Sequence, residues 1–310
     1  MSTHHGHVHP HEPTHVHAPA HFGRAFALAA SLNIALVVAQ VVYGVLANSV
    51  ALLADAGHNF GDVLGLLLAW GAQAMSNSLP TKRYTYGFQS ASILAALLNS
   101  LILLVATGAI AWQAILRIHD PSDVAGTTVM TVAAIGIVVN GASAALLMAG
   151  RRHDLNVRAA CLHLLGDAAI SLGVVVTGAI IALTAWDWLD PVASLIISAL
   201  IVWGTWGVLR EATMLSLAAV PENVDPAQVR DYLTRLPGVS EVHDLHIWAM
   251  STTEVALTAH LVRPGAGLDD ELLKAAADGL AERFKIRHAT LQVEAGNLEQ
   301  ACRLAPDSVV

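Results

Sequence analysis

Six long apolar stretches dominate the chain and constrain its fold more than any other feature. They lie at about 25–47, 50–74, 90–116, 124–149, 157–183 and 188–209. A helix needs roughly 20 apolar residues to cross the hydrocarbon core of a bilayer, and each stretch is of about that length or longer. Charged residues make up only 13% of the chain, about half of their usual share in a soluble domain. We therefore predict an α-helical membrane domain with six transmembrane helices over residues 24–210.

The connections between these stretches carry unequal numbers of lysines and arginines. Seven lie on one predicted side of the membrane: Arg24, Lys82, Arg83, Arg151, Arg152, Arg158 and Arg210. The opposite side has only Arg117. Because positively charged connections stay in the cytoplasm, this asymmetry predicts that both termini are cytoplasmic. No signal-peptide pattern precedes the first stretch, which fits a multi-pass protein of a bacterial inner membrane.

Residues 211–296 have the composition of a soluble domain. Two helix patterns and three strand patterns follow one another at about 225–236, 240–249, 253–263, 269–284 and 287–294. Alternating apolar residues indicate the strands, and a Pro-Gly pair ends the first helix. This αββαβ order predicts a small cytoplasmic α+β domain. Residues 297–310 are left as a C-terminal tail.

Histidine and aspartate form the same pattern in the second and the fifth apolar stretch. His58 and Asp62 are four residues apart, and His163 and Asp167 repeat this spacing. Residues four apart lie on one face of a helix. A carboxylate at the bilayer centre costs roughly 2.5–3.5 kcal/mol, so two matched pairs are not expected merely to stabilise a helix bundle. A structural ion pair between two helices is the alternative for either pair.

Two such helices that face each other would bring two imidazoles and two carboxylates together. Four nitrogen and oxygen ligands in a tetrahedron suit Zn²⁺, and two aspartates neutralise the charge of the ion. The pattern therefore predicts a metal site inside the membrane. Asp55 either supports these ligands, accepts a proton or lies at the membrane interface. Asn33 and Asn140 either support the site or form hydrogen bonds between helices.

Residues 1–23 form a histidine-rich tail on the predicted cytoplasmic side. It contains eight histidines: His4, His5, His7, His9, His11, His15, His17 and His21. Histidine and proline cannot supply a hydrophobic core, so we predict that this tail is disordered, and tracts of this kind commonly bind metal. The tail either captures ions for the membrane site or binds metal only adventitiously.

Segments from most of the chain resemble the zinc-type branch of the cation diffusion facilitator family. They are LLADAGHNFGDVLGLLLAW, RYTYGF, SILAALLNS, HLLGDAAISLG, LDPVASLIISALIV, HDLHIWAM and RHATLQVE. The resemblance implies six transmembrane helices, a metallochaperone-like (ferredoxin-like) cytoplasmic domain, a homodimer and proton-coupled metal export. It also implies that the transport ligands are His58, Asp62, His163 and Asp167.

The same resemblance makes four residues of the soluble domain candidates for cytoplasmic metal binding: His243, His260, His288 and Glu294. An ordinary solvated or buried side chain is the alternative for each of the three histidines. His246 lies three residues after His243 in a predicted strand, so the two side chains face opposite sides unless the strand bends. We interpret His246 as structural.

The predicted function is secondary transport that exports Zn²⁺, with Cd²⁺ as a second cargo, from the cytoplasm in exchange for protons. A Co²⁺ or Ni²⁺ exporter and a membrane metal sensor that does not transport are the alternatives. Neither a P-loop nor an H-E-x-x-H pattern occurs, so we expect neither ATP-driven transport nor a zinc enzyme. The net charge of −8 argues against nucleic acid as a partner. The expected partners are metal ions, protons, the bilayer and a second copy of the chain.

Overall fold

The computed structural model describes residues 22–76, 78–120, 122–148, 155–265 and 269–296. Within these ranges, side chains are described except for those of residues 22–30, 66, 69, 70, 73, 76, 146–148 and 155–163. The eight tail histidines and the C-terminal tail therefore lie outside the described residues, and their predicted roles stay predictions.

Six helices form the N-terminal part of the chain. They are α1 (Phe22–Leu46), α2 (Val50–Ser76), α3 (Ala91–His119), α4 (Gly126–Met148), α5 (Leu155–Thr184) and α6 (Leu189–Ser216). Among the described residues, α3, α4, α5 and α6 contain segments that are long and apolar enough to cross a membrane, and α1 contains a shorter apolar segment, Ser31–Leu46. The chain is thus a multi-pass membrane protein, whereas spanning by α1 and α2 stays a prediction.

The outer surface of the helical part is strongly apolar. Val105, Leu183 and Trp203 have 74%, 86% and 81% of their surface exposed. Lipid tails can cover such side chains, whereas large apolar surfaces of soluble proteins mark binding sites or cause aggregation. Trp186 and Trp188 stack on each other in the α5–α6 connection with ring centroids 6.2 Å apart. Tryptophan pairs of this kind are typical of the boundary between lipid and water.

Polar side chains face the interior between α1, α2, α4 and α5. Gln40, Asp55, Asn140 and Asp167 are each at most 3% exposed and come from these four helices in turn. The helix α4 packs along α5, α1 contacts both α2 and α4, and α2 also contacts α5. A polar interior inside an apolar exterior is expected where intramembrane polar groups serve a function.

Glycines allow the backbones of α4 and α5 to touch. A Cβ atom on Gly178 would lie 2.8 Å from the backbone nitrogen of Met130, and one on Gly126 would lie 2.7 Å from that of Ala182. Both distances are too short for any side chain, and the obstructing atoms belong to the backbone. Small residues that permit such an approach are typical of helix pairs inside membranes.

We expect Gly178→Ala to destabilise the protein by about 1–3 kcal/mol, because the new methyl group must push α4 and α5 apart. Thermal unfolding of the purified protein in mild detergent measures the effect as a lower melting temperature. Gly173→Ala is the matched control in the same helix, since its Cβ would meet no atom of a neighbouring described element within 4 Å. Equal melting temperatures for the two variants would contradict the close packing.

The C-terminal part forms a small α+β domain, as predicted. Its elements are α7 (Pro226–Thr234), β1 (Glu241–Ala249), β2 (Val255–Val262), α8 (Asp270–Phe284) and β3 (Ile286–Glu294). The strand β2 is central, with β1 antiparallel and β3 parallel to it. Buried side chains from both helices, such as Leu233 and Leu280, pack with Leu257 and Leu261 of β2. This confirms the predicted αββαβ order.

A capping aspartate begins each helix of this domain, and Asp269 illustrates the electrostatics. Its carboxylate accepts a hydrogen bond from the backbone N–H of Leu272 at 3.1 Å and lies 2.9 Å from Nη1 of Arg263. These contacts, the backbone N–H first, lower the pKa of Asp269 below its ordinary value. The charged cap satisfies backbone donors that the first turn of α8 leaves free.

Candidate functional site

Three of the four predicted membrane ligands come together between α2 and α5. Nε2 of His58 lies 3.0 Å from Oδ1 of Asp167. One ligand atom each of His58, Asp62 and Asp167 lies within 4.8 Å of the other two. The side chain of His58 is 15% exposed and that of Asp167 is 4% exposed, so the cluster is largely shielded from solvent. A single divalent cation could contact all three side chains.

The fourth predicted ligand, His163, lies in α5 four residues before Asp167. Residues at this spacing share one helix face. The side chain of His163 is outside the described part of the chain, so its participation stays a prediction.

Asp55 is fully buried beside the cluster and belongs to a hydrogen-bond network. Nε2 of Gln40 donates to Oδ2 of Asp55 at 2.5 Å, and Oγ of Ser171 donates to the same oxygen at 3.1 Å. Nδ2 of Asn59 donates to Oε1 of Gln40 at 3.1 Å. The network joins α1, α2 and α5, and Ser171 lies one turn beyond Asp167. This burial argues against the interfacial role considered for Asp55.

The two asparagines proposed to support the site differ in burial. Asn33 is half-buried in α1, whereas Asn140 is fully buried in α4.

Asn59 and Ser171 were not among the residues predicted from the sequence. A usable signal was present, because Asn59 follows Asp55 by four residues and Ser171 follows Asp167 by four. Each therefore lies on the same helix face as an aspartate.

Asp190, at the start of α6, is another buried residue that the sequence analysis did not select. Its carboxylate accepts hydrogen bonds from Oγ of Ser49 at 2.5 Å and from the backbone N–H of Val50 at 2.6 Å. The backbone N–H of Ala51 lies 3.3 Å from the same carboxylate. Asp190 thus caps the N-terminus of α2, the helix that carries His58 and Asp62. An aspartate at the start of an apolar stretch was the available signal.

A second cluster lies in the soluble domain and contains His243, His260 and Glu294, three of the four predicted cytoplasmic residues. One ligand atom from each lies within 4.8 Å of the others. Glu294 contacts Nδ1 of His260 at 3.0 Å and Nε2 of His243 at 3.5 Å. Strand pairing explains the arrangement, since His243 of β1 is opposite His260 of β2, and Glu294 of β3 is opposite Val262.

A β-bulge in β1 adds a further acidic residue to this second cluster. The register of β1 shifts between His243 and His246, and Asp244 has a positive φ of 49°. Oδ2 of Asp244 lies 3.3 Å from Nε2 of His260, and Oδ1 lies 2.9 Å from Nε2 of His246. The strand therefore does bend between His243 and His246, which was the condition for the two side chains to lie on the same side. His246 reaches the cluster through Asp244, which the sequence analysis missed.

His288, the fourth predicted cytoplasmic residue, lies elsewhere. It is exposed on β3, and its ring meets that of Tyr86 edge-on with centroids 5.3 Å apart. Tyr86 belongs to the α2–α3 connection. Nearby, Oγ of Ser90 donates to the carbonyl oxygen of Met250 at 3.2 Å. The structure therefore puts His288 where the soluble domain contacts the helical part.

Comparison with protein families matches both parts of the chain. The family model for the cation efflux transmembrane domain matches residues 26–215. The model for the cytoplasmic domain of cation efflux proteins matches residues 221–296.

Several similar proteins align over nearly the whole chain. The metal cation efflux system protein CzcD of Cupriavidus metallidurans is 34% identical over 297 residues, which are 96% of this chain and 92% of that protein. The zinc transporter ZitB of Escherichia coli is 35% identical over 290 residues, 93% of this chain and 92% of that protein. The cadmium, cobalt and zinc/H(+)-K(+) antiporter of Bacillus subtilis is 31% identical over 264 residues, 82% of this chain and 83% of that protein.

Among solved structures, the metal-bound C-terminal domain of the CzcD transporter from Cupriavidus metallidurans is 39% identical. The match covers 23% of this chain and 99% of that domain, with a TM-score of 0.22.

Proposed function

This chain belongs to the cation efflux family, and we propose that it exports Zn²⁺, with Cd²⁺ as a second cargo, from the cytoplasm in exchange for protons. Members of this family are transporters rather than enzymes. The observation that carries the proposal is the cluster of His58, Asp62 and Asp167 inside the helical bundle. The zinc transporter and metal efflux proteins to which the chain is similar support the choice of cargo.

The chemistry of the cluster suits Zn²⁺. Zinc binds imidazole nitrogen and carboxylate oxygen at about 2.0–2.2 Å, so two ligands of one ion lie at most about 4.4 Å apart. The ligand atoms of the cluster lie within 4.8 Å of one another, so small side-chain shifts bring all three to a central ion. Asp62 and Asp167 together carry the charge needed to neutralise a divalent cation, which makes the loaded site tolerable in a medium of low dielectric constant. In this proposal His163 is the fourth ligand and completes a tetrahedron.

The contact between His58 and Asp167 supports exchange of the cation for protons. A distance of 3.0 Å between Nε2 and a carboxylate oxygen is that of a hydrogen bond, which needs a proton between the two atoms. A metal ion bound to Nε2 must replace that proton. In this proposal His58 carries protons on both ring nitrogens in the empty site, so that the proton on Nε2 leaves when the ion binds and Nδ1 keeps its own. Return of a proton to Nε2 on the other side of the membrane then helps to expel the ion. Imidazole suits this exchange because it titrates near neutral pH.

The chain is divided into a membrane domain, a cytoplasmic domain and two tails. Residues 24–210 form the membrane domain in a bacterial inner membrane with both termini in the cytoplasm, and residues 211–296 form a cytoplasmic metal-binding domain that pairs with a second copy of the chain. Residues 1–23 and 297–310 are tails, and the first captures metal. The matches of the two family models support this division.

Transport of ⁶⁵Zn²⁺ into proteoliposomes tests the proposal. When the interior of the vesicles is acidic, we expect uptake that rises with the pH difference. Uptake should stop when a protonophore abolishes the pH difference. Uptake that does not depend on the pH difference would contradict proton exchange. Zinc binding without uptake would favour a metal sensor instead. Preferred uptake of Co²⁺ or Ni²⁺ in competition with Zn²⁺ would overturn the choice of cargo.

The cytoplasmic cluster leads to a separate prediction. Glu294→Gln is expected to weaken Zn²⁺ binding at this cluster by about 10–100-fold, because it removes the carboxylate that contacts both histidines. Calorimetric titration of the full-length protein measures this as the loss of one class of sites. Glu241→Gln is the matched control, since Glu241 is 64% exposed and lies 4.0 Å from His243. Unchanged binding in Glu294→Gln would remove this cluster from the metal sites.

A further inference from the structure

Asn140 of α4 is buried without a polar partner for its carboxamide in the ranges that the structure describes. Its side chain is fully buried, and both Nδ2 and Oδ1 have no hydrogen-bond partner among the described residues. A carboxamide offers two donors and one acceptor. Leaving a buried polar group unsatisfied costs about 1–3 kcal/mol, and the polar groups of membrane bundles usually find partners in neighbouring helices. The free-energy cost of this burial suggests that the side chain of Asn140 binds a ligand.

The packing of α4 against α5 locates Asn140 relative to the metal cluster. Gly126 lies against Ala182, and Gly178 lies against Met130, so the helices are antiparallel. Further along, a Cβ atom on Gly136 would lie 3.2 Å from Oγ of Ser171.

Asn140 lies one turn beyond Gly136 on the same face of α4, and Asp167 lies one turn before Ser171 on the same face of α5. Because the helices are antiparallel, both steps lead in the same direction. They bring Asn140 opposite Asp167.

The same face of α4 is also turned towards α1. The Cβ position of Gly136 lies 3.5 Å from Nε2 of Gln40, which donates to Asp55. Asn140 therefore occupies the interior bounded by α1, α2, α4 and α5. It lies one turn away from the Asp55 network, at the level of His58 and Asp167.

We propose that Asn140 is a further ligand of the transported cation, with its Oδ1 atom in contact with the ion held by His58, Asp62 and Asp167. This inference rests on the proposed function, because it needs a divalent cation at that cluster. A carboxamide oxygen adds an uncharged donor and so raises affinity without making the loaded site negative. Zinc is mostly four-coordinate but can expand to five ligands, and Asn140 would supply the fifth. The contact would satisfy the buried carboxamide only while the site is loaded.

Replacement by leucine separates this role from a structural one. Leucine is of similar size and removes the unsatisfied carboxamide, so the metal-free protein should be equally stable or more stable. If Asn140 binds the cation, the Kd and the KM for Zn²⁺ rise by about 10–100-fold. The increase in melting temperature that Zn²⁺ causes then becomes smaller. A purely structural residue would leave the Kd and the KM unchanged.

The experiment uses the full-length protein with Zn²⁺ alone as the probe, by calorimetric titration in detergent and by uptake into proteoliposomes. Ser194→Ala is the matched control. Ser194 is also buried, and its hydroxyl has no hydrogen-bond partner within the described part of the chain, but it belongs to α6. We expect weak binding in Asn140→Leu and normal binding in Ser194→Ala. Equal Kd values in both would overturn the inference.

Asn140→Ala covers the case in which the leucine variant does not fold. Alanine is smaller than leucine and removes the same carboxamide without adding a charge, so the Kd for Zn²⁺ is expected to rise as in Asn140→Leu. A Kd equal to that of the wild type would overturn the inference. Failure of the proposed function looks different, because the wild type would then take up no Zn²⁺, while the titrations would still report whether Asn140 contributes to binding.

Discussion

Replacing Asp167 with alanine is expected to abolish Zn²⁺ uptake, with a rate at least about 100-fold below that of the wild type. Asp167 contributes one of three clustered ligand atoms and holds the 3.0 Å contact with His58. The substitution removes a proposed ligand of the cation, the hydrogen-bond partner of His58 and one of the two negative charges. A cation held by Asp62 alone would keep a net positive charge in a medium of low dielectric constant, and an uncompensated buried charge costs several kcal/mol. Uptake of ⁶⁵Zn²⁺ driven by a pH difference measures the loss.

Two variants make this result interpretable. Asp167→Asn keeps the shape of the side chain and removes its charge, and we expect the same loss of uptake. Glu211→Gln removes a negative charge from an exposed position of α6 and is expected to leave uptake unchanged. The melting temperature of each purified variant in detergent shows whether it is folded. Normal uptake by a folded Asp167→Ala protein would exclude Asp167 from the transport path and direct attention to the Asp55 network.

The helices could be predicted closely because a bilayer imposes a simple requirement of length and apolarity. The stretch at 90–116, for example, corresponds to α3 (Ala91–His119). The prediction was less accurate at the end of α6, which was expected at about 209 and continues to Ser216. Arg210 and Glu211 end the apolar stretch but are themselves good helix formers. A change in polarity therefore marks the edge of the apolar stretch and not the end of the helix.

The cluster of His58, Asp62 and Asp167 was predictable because histidine and aspartate lie one helical turn apart in the sequences of both α2 and α5. The hydrogen-bond network of Asp55 was not predictable in the same way. The spacing puts Ser171 on the helix face of Asp167, but only the packing of α1 and α5 against α2 brings Gln40 and Ser171 to Asp55. The same reason applies to Asn140, whose neighbours depend on the register of α4 against α5. In the soluble domain, strict alternation cannot reveal a β-bulge, and the bulge is what brings Asp244 to His260.

Asp190→Ala is expected to lower the free energy of unfolding by about 2–4 kcal/mol and to reduce Zn²⁺ uptake strongly. The loss of stability follows because hydrogen bonds from Ser49 and from the backbone N–H of Val50 lose a charged acceptor in a buried place. Thermal unfolding in mild detergent measures the first effect, and proteoliposome uptake measures the second. Uptake falls because α2 is no longer fixed at its start, which displaces His58 and Asp62 from Asp167 of α5.

Ser194→Ala, one turn further along α6, shows whether the effect of Asp190→Ala is specific. The hydroxyl of Ser194 is buried without a hydrogen-bond partner among the described residues, so its removal should leave stability nearly unchanged. Asp190→Asn keeps an acceptor for one N–H group without the charge, and we expect intermediate stability. If Asp190→Ala unfolded at the wild-type temperature, the carboxylate would not fix the start of α2, and the position of His58 and Asp62 would have to depend on the packing of α2 against α3 and α1.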